Sequence, residues 1–532
     1  MKYLINGISL SFFESDDAFC EIAKSKMKRV VDPAQFHFCV YKKSIDARRR
    51  DDIRFVCSVL AQTEIILTQR QTEKLKEVGF KLLEDDFVLP QYGSESLFER
   101  PLIVGCGPAG MFCALLLAEN GYRPIVIDRG GSVKQRSAAY DKFCREGVLS
   151  AETNIQYGAG GAGTFSDGKL TTRINDPRCS YVLSRLRDFG APEDITVKAK
   201  PHIGTDVLQT VVDNVIKKIQ MLGGEVRLNC RLDMIKKNAD GTLTAVTTSG
   251  DIQAGCIVLA TGHSARDTYS MLGEKGFKLE PKPFSVGVRI EHLQKDIDRA
   301  LFGKHAGDAR LGKGEYNFSD TTGRGVYTFC MCPGGEVVAA ATEQGGVVVN
   351  GMSRHARDGR NANSAIAVTV NPEDYGSTVD GAVGYQRALE RAAYRAGGGE
   401  FTAPIQTVGD FLEGKLINEP TTVQPTYRGG KCKVADIAEL FPQYITNELR
   451  KGIRSFGRRL SGFDAPTALL TGVETRTSSP IRIVRNDSLI AVGYERVYPC
   501  GEGAGYAGGI TSAAVDGIRV ATAIMERFAE FE

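Results

Sequence analysis

The sequence has no tryptophan, almost no net charge and no apolar run long enough to cross a membrane. A formal net charge of +3 gives no strong electrostatic reason to expect nucleic acid or an acidic membrane as a partner. The N-terminus lacks the small-residue cleavage site of a signal peptide, and the 13 cysteines include no C-x-x-C pair. These absences predict a cytoplasmic protein with reduced thiols, no membrane partner, no metal and no zinc site of that kind.

The stretch from Pro101 to Arg129 has the pattern of a dinucleotide-binding unit. An apolar strand is followed by G-x-G-x-x-G, an apolar helix and a second apolar strand that ends in an acid. In such a unit the glycines allow a tight turn, the approach of a pyrophosphate and close helix packing, while the acid accepts hydrogen bonds from a ribose. The fingerprint does not choose between NAD and FAD. The residues expected to contact the cofactor here are Gly105, Gly107, Pro108, Ala109, Gly110 and Asp128.

A basic and then a glycine-rich segment follow this unit. Arg129 and Arg136 supply positive charge beside the expected phosphates, with simple surface charge as the alternative. Residues 154–173 contain closely spaced glycines between apolar anchors, so their backbone can approach a flat ring or a phosphate closely. Cofactor contacts are expected at Gly160, Gly161, Gly163, Thr164, Gly168 and Lys169.

Further along, the chain changes to a strand-rich pattern. A helix from Asp206 to Leu222, with Thr205 as its cap, precedes short strands from Glu225 to Thr248. A buried strand then ends in Ala-Thr-Gly. Cofactor contacts are expected at Leu232, Ala260, Thr261 and Gly262.

The closing motif YPCGEGAGYAGGITSAAVDG makes the chain resemble the superfamily of FAD flavoproteins with a single Rossmann domain, such as glutathione reductase and p-hydroxybenzoate hydroxylase. The resemblance implies that an acid here binds the ribityl chain and that a helix N-terminus faces the flavin. The positions that match are Gly501, Glu502, Gly503, Gly508, Gly509, Ile510 and Thr511. Of these, Gly501, Glu502, Gly509, Ile510 and Thr511 are expected to contact the cofactor. Asp128 and Glu502 depart from that pattern, because the superfamily more often has glutamate at the first position and aspartate at the second.

More narrowly, the chain resembles a family usually labelled uncharacterised FAD-dependent oxidoreductases or dehydrogenases. The motifs that match are GAGGAGTFSDGKL, KPHIGTD, FSVGVRIEH, ETRTSSPIRI and the closing motif. The resemblance implies a nucleotide-binding flavoprotein with FAD as cofactor, but it supplies no substrate.

These patterns predict an α/β fold, a Rossmann-type FAD-binding domain with an inserted α+β substrate domain and a small N-terminal α+β domain. The expected divisions are 1–95 for the N-terminal βαββα domain, 96–280 for the first part of the FAD-binding domain, 281–480 for the insertion and 481–532 for the closing segment. Within the insertion, Tyr327–Cys332 and Glu336–Thr342 are expected to pair as a hairpin.

The predicted function is an FAD-binding oxidoreductase, a dehydrogenase or reductase, that acts on a small molecule through the flavin N5. Candidate catalytic residues are His202, Arg289 and Arg476. An arginine such as Arg476 can bind an anionic substrate, and the alternative for each candidate is a structural role. No second fingerprint with its own strand, helix and acid marks an NAD(P)H domain, so NAD(P)H would have to dock over the flavin as a transient donor. Cys330 and Cys332 are alternatively a redox pair or two buried strand thiols.

The alternative function is a flavoprotein that acts on RNA or a protein docked by the N-terminal domain. Arg48, Arg49 and Arg50 are the basic run that suggests it. Residues 1–95 hold equal numbers of basic and acidic residues, which favours a solvated turn instead.

Overall fold

The N-terminal part of the chain forms an antiparallel sheet flanked by two helices. A computed structural model describes residues 1–83, 87–417 and 419–531 of the protein. In the first of these ranges the strands pair in the order His37–Asp46, Arg54–Gln62, Lys2–Ser11 and Phe80–Leu82, and the helices are Asp16–Met27 and Gln69–Glu77. The order of elements is βαββαβ, so a short closing strand is added to the predicted βαββα.

The first helix, Asp16–Met27, begins after Ser15, which holds the N-cap position. Asp16 and Asp17 both lie in the first turn. There their negative charge is favourable beside the positive end of the helix dipole.

A parallel sheet gathers strands from distant parts of the sequence around the fingerprint strand. Its order is Val497–Pro499, Cys256–Leu259, Pro101–Val104, Ile125–Ile127 and Glu225–Arg227. The central strands are buried on both faces, which explains their continuous apolar sequence. The strand at Glu225 joins the edge of this sheet beside Ile125–Ile127, not the antiparallel strands that follow it in sequence.

Two helices of this layer pack closely against each other. Pro108–Glu119 follows the fingerprint and is buried along most of its length, and Ile510–Arg527 closes the chain beside it. The contact is close because Gly517 faces the Ala109 backbone, where a larger residue would collide with the carbonyl oxygen. Both helices begin at the carboxyl edge of the parallel sheet.

A second, larger sheet carries the interior of the chain. Its strands are Ser319–Asp320, Val326–Cys332, Asn361–Val370, Phe284–Leu293, Leu469–Glu474, Ala403–Thr407 and Cys432–Val434, in that order. All neighbours in it are antiparallel except the last pair. Smaller antiparallel sheets join Leu232–Lys237, Leu243–Thr247 and Ile252–Ala254, pair Leu279–Pro281 with Ile481–Ile483, and pair Glu336–Ala339 with Val349–Met352.

The predicted hairpin between Tyr327 and Thr342 is wrong. Val326–Cys332 pairs with Asn361–Val370, whereas Glu336–Ala339 pairs with Val349–Met352. The register of the first strand shifts between Phe329 and Cys332, and Cys330 adopts φ 47° at this bulge, after which Cys332 pairs again with the same strand.

The remaining α-helices surround these sheets. They are Val133–Glu146, Arg178–Asp188, Thr205–Met221, Arg266–Glu274, Gln294–Phe302, Pro372–Tyr375, Val379–Ala396, Val408–Glu413 and Gln443–Gly457. Thr205 is the first residue of its helix and not the predicted cap, since Gly204 holds that position. Within the described residues, no helix is both long enough and apolar enough to span a bilayer.

Candidate functional site

A cleft opens at the carboxyl ends of the parallel strands, which is the edge where ligands bind in open α/β sheets. The space between its walls, counted out to the open mouth, is about 1470 Å³. The predicted residues that line it are Gly105, Gly107, Pro108, Ala109, Asp128, Arg129, Gly161, Gly163, Gly168, Lys169, Leu232, Ala260, Thr261, Gly262, Arg476, Glu502, Gly509 and Ile510.

The other predicted residues lie behind this lining. They are Gly110, Arg136, Gly160, Thr164, Gly501 and Thr511 among the expected cofactor contacts, and His202 and Arg289 among the expected catalytic residues. Thr511, for example, donates its hydroxyl to the Leu170 carbonyl at 2.8 Å.

The three fingerprint glycines have different structural reasons to be glycine. Gly105 has φ 110°, which disfavours a side chain, and a Cβ on Gly110 would collide with the Gly105 carbonyl oxygen. Gly107 has φ −83°, and its Cβ would lie 3.7 Å from the nearest atom, the Gly161 Cα. The fold therefore tolerates a side chain at Gly107. That side chain would occupy space in the cleft.

Asp128 organises the turn around the fingerprint. Its carboxylate accepts the backbone N–H groups of Cys106 at 2.8 Å, Gly130 at 2.9 Å and Gly158 at 2.8 Å. Burial raises the pKa of this carboxyl group, although these hydrogen bonds and Arg136 oppose the rise. A carboxylate has about four acceptor positions, so one is left for a ribose hydroxyl, a contact that stays a prediction.

Arg136 supports the glycine-rich segment and does not face a phosphate. The side chain is fully buried, and its guanidinium donates to the carbonyls of Asn154, Ile155, Ala159 and Gly161. The predicted phosphate contact is corrected for that reason. Arg129 does line the cleft, but its guanidinium is already paired with Glu152 and Asp267.

Two helix N-termini open onto the cleft without a side-chain cap. The helix Pro108–Glu119 follows Gly107, and the helix Ile510–Arg527 follows Gly509, which has φ 149°. Neither N-cap residue has a side chain to accept the first backbone N–H groups. These donors and the helix dipoles therefore favour a negatively charged ligand such as a pyrophosphate.

Unpartnered polar atoms lie in the same cleft. Among the described residues, Thr261 Oγ1 and His263 Nε2 are buried and have no hydrogen-bond partner. His263 Nδ1 lies 3.7 Å from Glu502 Oε1. Burial raises the pKa of Glu502 to about 7, and burial together with Arg476 and Arg266 lowers the pKa of His263 to about 3. The open Gly107, the uncapped helices and these free polar atoms fit a bound FAD.

His263 was missed in the sequence although it directly follows Ala260, Thr261 and Gly262. A lone histidine after a strand end has no spacing pattern that marks it as a ligand contact. Only the structure shows that its side chain is enclosed beside Glu502.

Arg289 is a positioning residue rather than a substrate contact. Its five N–H groups are all used, by both oxygens of Glu474 and by the Cys330 carbonyl, Asn363 Oδ1 and Asn350 Oδ1. The predicted catalytic role is therefore corrected, because no donor is left for a ligand. Arg289 does hold Cys330 and Asn350, which both line the cleft.

His202 is likewise engaged within the protein. Its Nε2 lies 3.1 Å from the His355 carbonyl oxygen, and the two rings stack with centroids 5.3 Å apart. Burial, with help from Arg357, lowers the pKa of His202 to about 4. His202 is not among the residues that line the cleft, so its catalytic role has no support from this position and stays a prediction.

Arg476 is the predicted catalytic residue that reaches the cleft. It is 4 % exposed, and its guanidinium is held by both oxygens of Glu390 at 3.3 Å and by Thr342 Oγ1 at 2.7 Å. Glu390 also binds Arg266, and the two arginines lower its pKa to about 2 against the effect of burial.

The candidate thiols do not form a reactive pair. Cys330 lines the cleft, but Cys332 does not, and the Cys332 thiol donates to the Cys330 carbonyl at 3.2 Å. Burial raises the pKa of both thiols. Cys500 also lines the cleft, and burial raises its pKa well above the ordinary value, so a thiolate is disfavoured at each position.

Comparison with known proteins identifies the class of this site. Residues 283–477, which include the large antiparallel sheet, match the family described as FAD-dependent protein, C-terminal domain-like. FAD-dependence agrees with the geometry of the cleft, and the findings indicate an FAD-dependent oxidoreductase family.

The whole chain is 44% identical over 537 residues to an uncharacterized protein of Clostridium beijerinckii, with 99% of each chain covered. The chain belongs to the same family as that protein. It is also 26% identical over 203 residues to protein FixC of Escherichia coli K12, across 38% of this chain and 44% of FixC. Among solved structures, glycine oxidase from Geobacillus kaustophilus aligns with 82% of this chain and 96% of its own at 11% identity. The TM-score is 0.33, so the similarity is too distant to support an argument.

Proposed function

We propose that the protein is an FAD-dependent oxidoreductase that acts on a small molecule bound at the end of the cleft formed by residues 283–477. The observation that carries this proposal is the continuity of the cleft. Its lining runs from the fingerprint turn to Phe329, Cys330, Asn350 and Arg476, which all belong to the FAD-dependent C-terminal domain.

The residues of the chain divide the work along this cleft. The helix N-termini after Gly107 and Gly509 would hold the negatively charged part of the cofactor, and Asp128 fixes the fingerprint turn before the first of them. FAD, when bound, supplies the oxidation–reduction chemistry. Arg476, held by Glu390, would orient an anionic group of the substrate, and Arg289 keeps Cys330 and Asn350 in place.

NAD(P)H as an electron donor is part of this proposal. Purified protein loaded with FAD is mixed with NADH or NADPH without oxygen, and the visible flavin absorbance is followed. Bleaching by either nucleotide supports an NAD(P)H-linked reductase. If neither bleaches the band but dithionite does, the electrons come from the substrate as in a dehydrogenase.

The proposal fails if the protein can be neither isolated with FAD nor reloaded with it. The alternative of an RNA or protein substrate has no such supporting observation. In the basic run of the N-terminal domain, Arg48 is paired with Asp46, and nearby Arg54 is paired with Asp52.

A further inference from the structure

Two fixed cations line the cleft on separate elements. Arg476 follows the strand Leu469–Glu474, whereas Lys169 lies in the glycine-rich segment 154–173. Each belongs to its own buried cluster of charges, and the two clusters share no residue. The cleft therefore has two distinct points of positive charge.

The first cluster leaves donors on Arg476. Its Nε is used by Glu390, but within the described residues each terminal nitrogen makes one of its two possible hydrogen bonds. The cluster consists of three cations and two carboxylates. Its members are Arg266, Arg387, Arg476, Glu343 and Glu390.

The second cluster leaves a donor on Lys169. Its ammonium lies 2.7 Å from Glu315 Oε2 and 3.3 Å from Asp167 Oδ2, which accounts for two of its three N–H groups. Burial alone would lower the pKa of Lys169, but Asp167 and Glu315 raise it above the ordinary value, so the side chain stays charged. Lys200 and Arg357 complete this cluster, which also holds three cations and two carboxylates.

Asn350 adds a neutral donor to the lining of the cleft. Its Oδ1 accepts from Arg289 Nη2 and from the Gly351 backbone N–H, both at 2.8 Å. Because an arginine can only donate, this contact fixes the orientation of the amide and leaves the Nδ2 group as the donor that remains. Arg476, Lys169 and Asn350 together offer donors and no acceptor.

We propose that the substrate of this cleft carries two acidic groups, one held by Arg476 and the other by Lys169, with Asn350 donating between or beside them. This inference rests on the proposed function, because it names the class of substrate for that same site. A small dicarboxylate has the required chemistry, with acceptors at both ends and a charge that matches two separate cations.

The test uses the FAD-loaded protein and four probes, oxalate, malonate, succinate and glutarate, with acetate as the single-charge comparison. Binding is measured at constant ionic strength from the change in the flavin absorption spectrum. We expect one dicarboxylate to bind at least about tenfold more tightly than acetate. The chain length that binds best reports the spacing of the two cations. Equal affinity for acetate and for the best dicarboxylate would overturn the proposal.

Matched variants distinguish direct contact with the dicarboxylate from a general effect of positive charge. Arg476→Met and Lys169→Met, each measured in its FAD-loaded form, should reduce the affinity for the best dicarboxylate to within about twofold of that for acetate. Arg387→Met and Lys200→Met remove one charge from the same clusters but no donor from the cleft. These two should change the affinity by less than about twofold, since Lys200 is exposed and Arg387 is partly exposed, so that water and salt screen both charges.

The outcomes also distinguish this inference from the proposed function. If the protein holds no FAD, the proposed function fails. If FAD is bound but the dicarboxylates bind no better than acetate, the inference alone fails. Probes that bind only to the FAD-free protein and compete with FAD would also overturn the inference, because the cations would then serve the cofactor phosphates.

Discussion

Replacement of Gly107 by alanine tests whether the cleft is shaped for a cofactor. The backbone at Gly107 has φ −83° and ψ −176°, values that alanine adopts readily, and the added Cβ would lie 3.7 Å from the Gly161 Cα. We therefore expect the free energy of unfolding of the FAD-free protein to change by no more than about 0.5 kcal/mol.

The same methyl group would occupy the place where a pyrophosphate approaches the backbone. Overpacking by one carbon costs about 1–3 kcal/mol, which corresponds to roughly 5- to 150-fold weaker FAD binding. FAD affinity is measured by titration of the FAD-free protein, and stability by urea unfolding followed by circular dichroism. Unchanged FAD affinity in a folded Gly107→Ala protein would refute the reasoning.

Gly110→Ala is the contrasting variant. Its Cβ would collide with the Gly105 carbonyl oxygen, so the close packing of helix on strand would be lost. We expect this variant to lose stability by about 1–3 kcal/mol even without FAD. The pair thus separates a glycine required by the fold from a glycine required by the ligand.

Three further predictions concern the structure around the site. Arg289→Ala should lower the free energy of unfolding by about 3–5 kcal/mol, because it leaves Glu474 buried and unpaired. Stability is measured by urea unfolding, and a variant as stable as the wild type would contradict the positioning role. In the FAD-free protein, burial raises the pKa of Glu502 from 4.5 to about 7, so the stability that this one group contributes falls as pH rises through that range. The lowered pKa values of His263 and His202 act in the opposite sense, so the test is the difference between variant and wild type. The stability of Glu502→Gln relative to the wild type should rise from about pH 4.5 to about pH 7, and a difference that stays constant with pH would count against it. Gly384→Ala, on an exposed and open helix position, should raise stability by about 0.5–1 kcal/mol and leave FAD affinity unchanged.

The fingerprint could be predicted from sequence because its determinants are local. A buried strand, three glycines with fixed spacing and an acid at the next strand end lie within thirty residues of one another. The structure places Gly105, Gly107 and Asp128 in the cleft as the pattern predicts. The role of each toward a bound cofactor stays a prediction.

Other features depend on contacts between distant parts of the chain. Arg136 and Arg289 look like candidate anion contacts in the sequence, but distant carbonyl and carboxylate groups use all or most of their donors. The hairpin near Pro333 is a sound local prediction, yet each of its two strands pairs with a segment further along the chain, Asn361–Val370 for the first and Val349–Met352 for the second. His263 has no sequence signal beyond its neighbours, and only the fold brings it to Glu502.

The FAD content of the purified protein tests the central claim most directly. The protein is denatured, and the released flavin is identified and counted per chain. The geometry of the cleft predicts one FAD per chain, either as isolated or after reloading, and a lower FAD content in the Gly107→Ala variant as isolated. A folded protein that neither contains nor takes up FAD would contradict the claim.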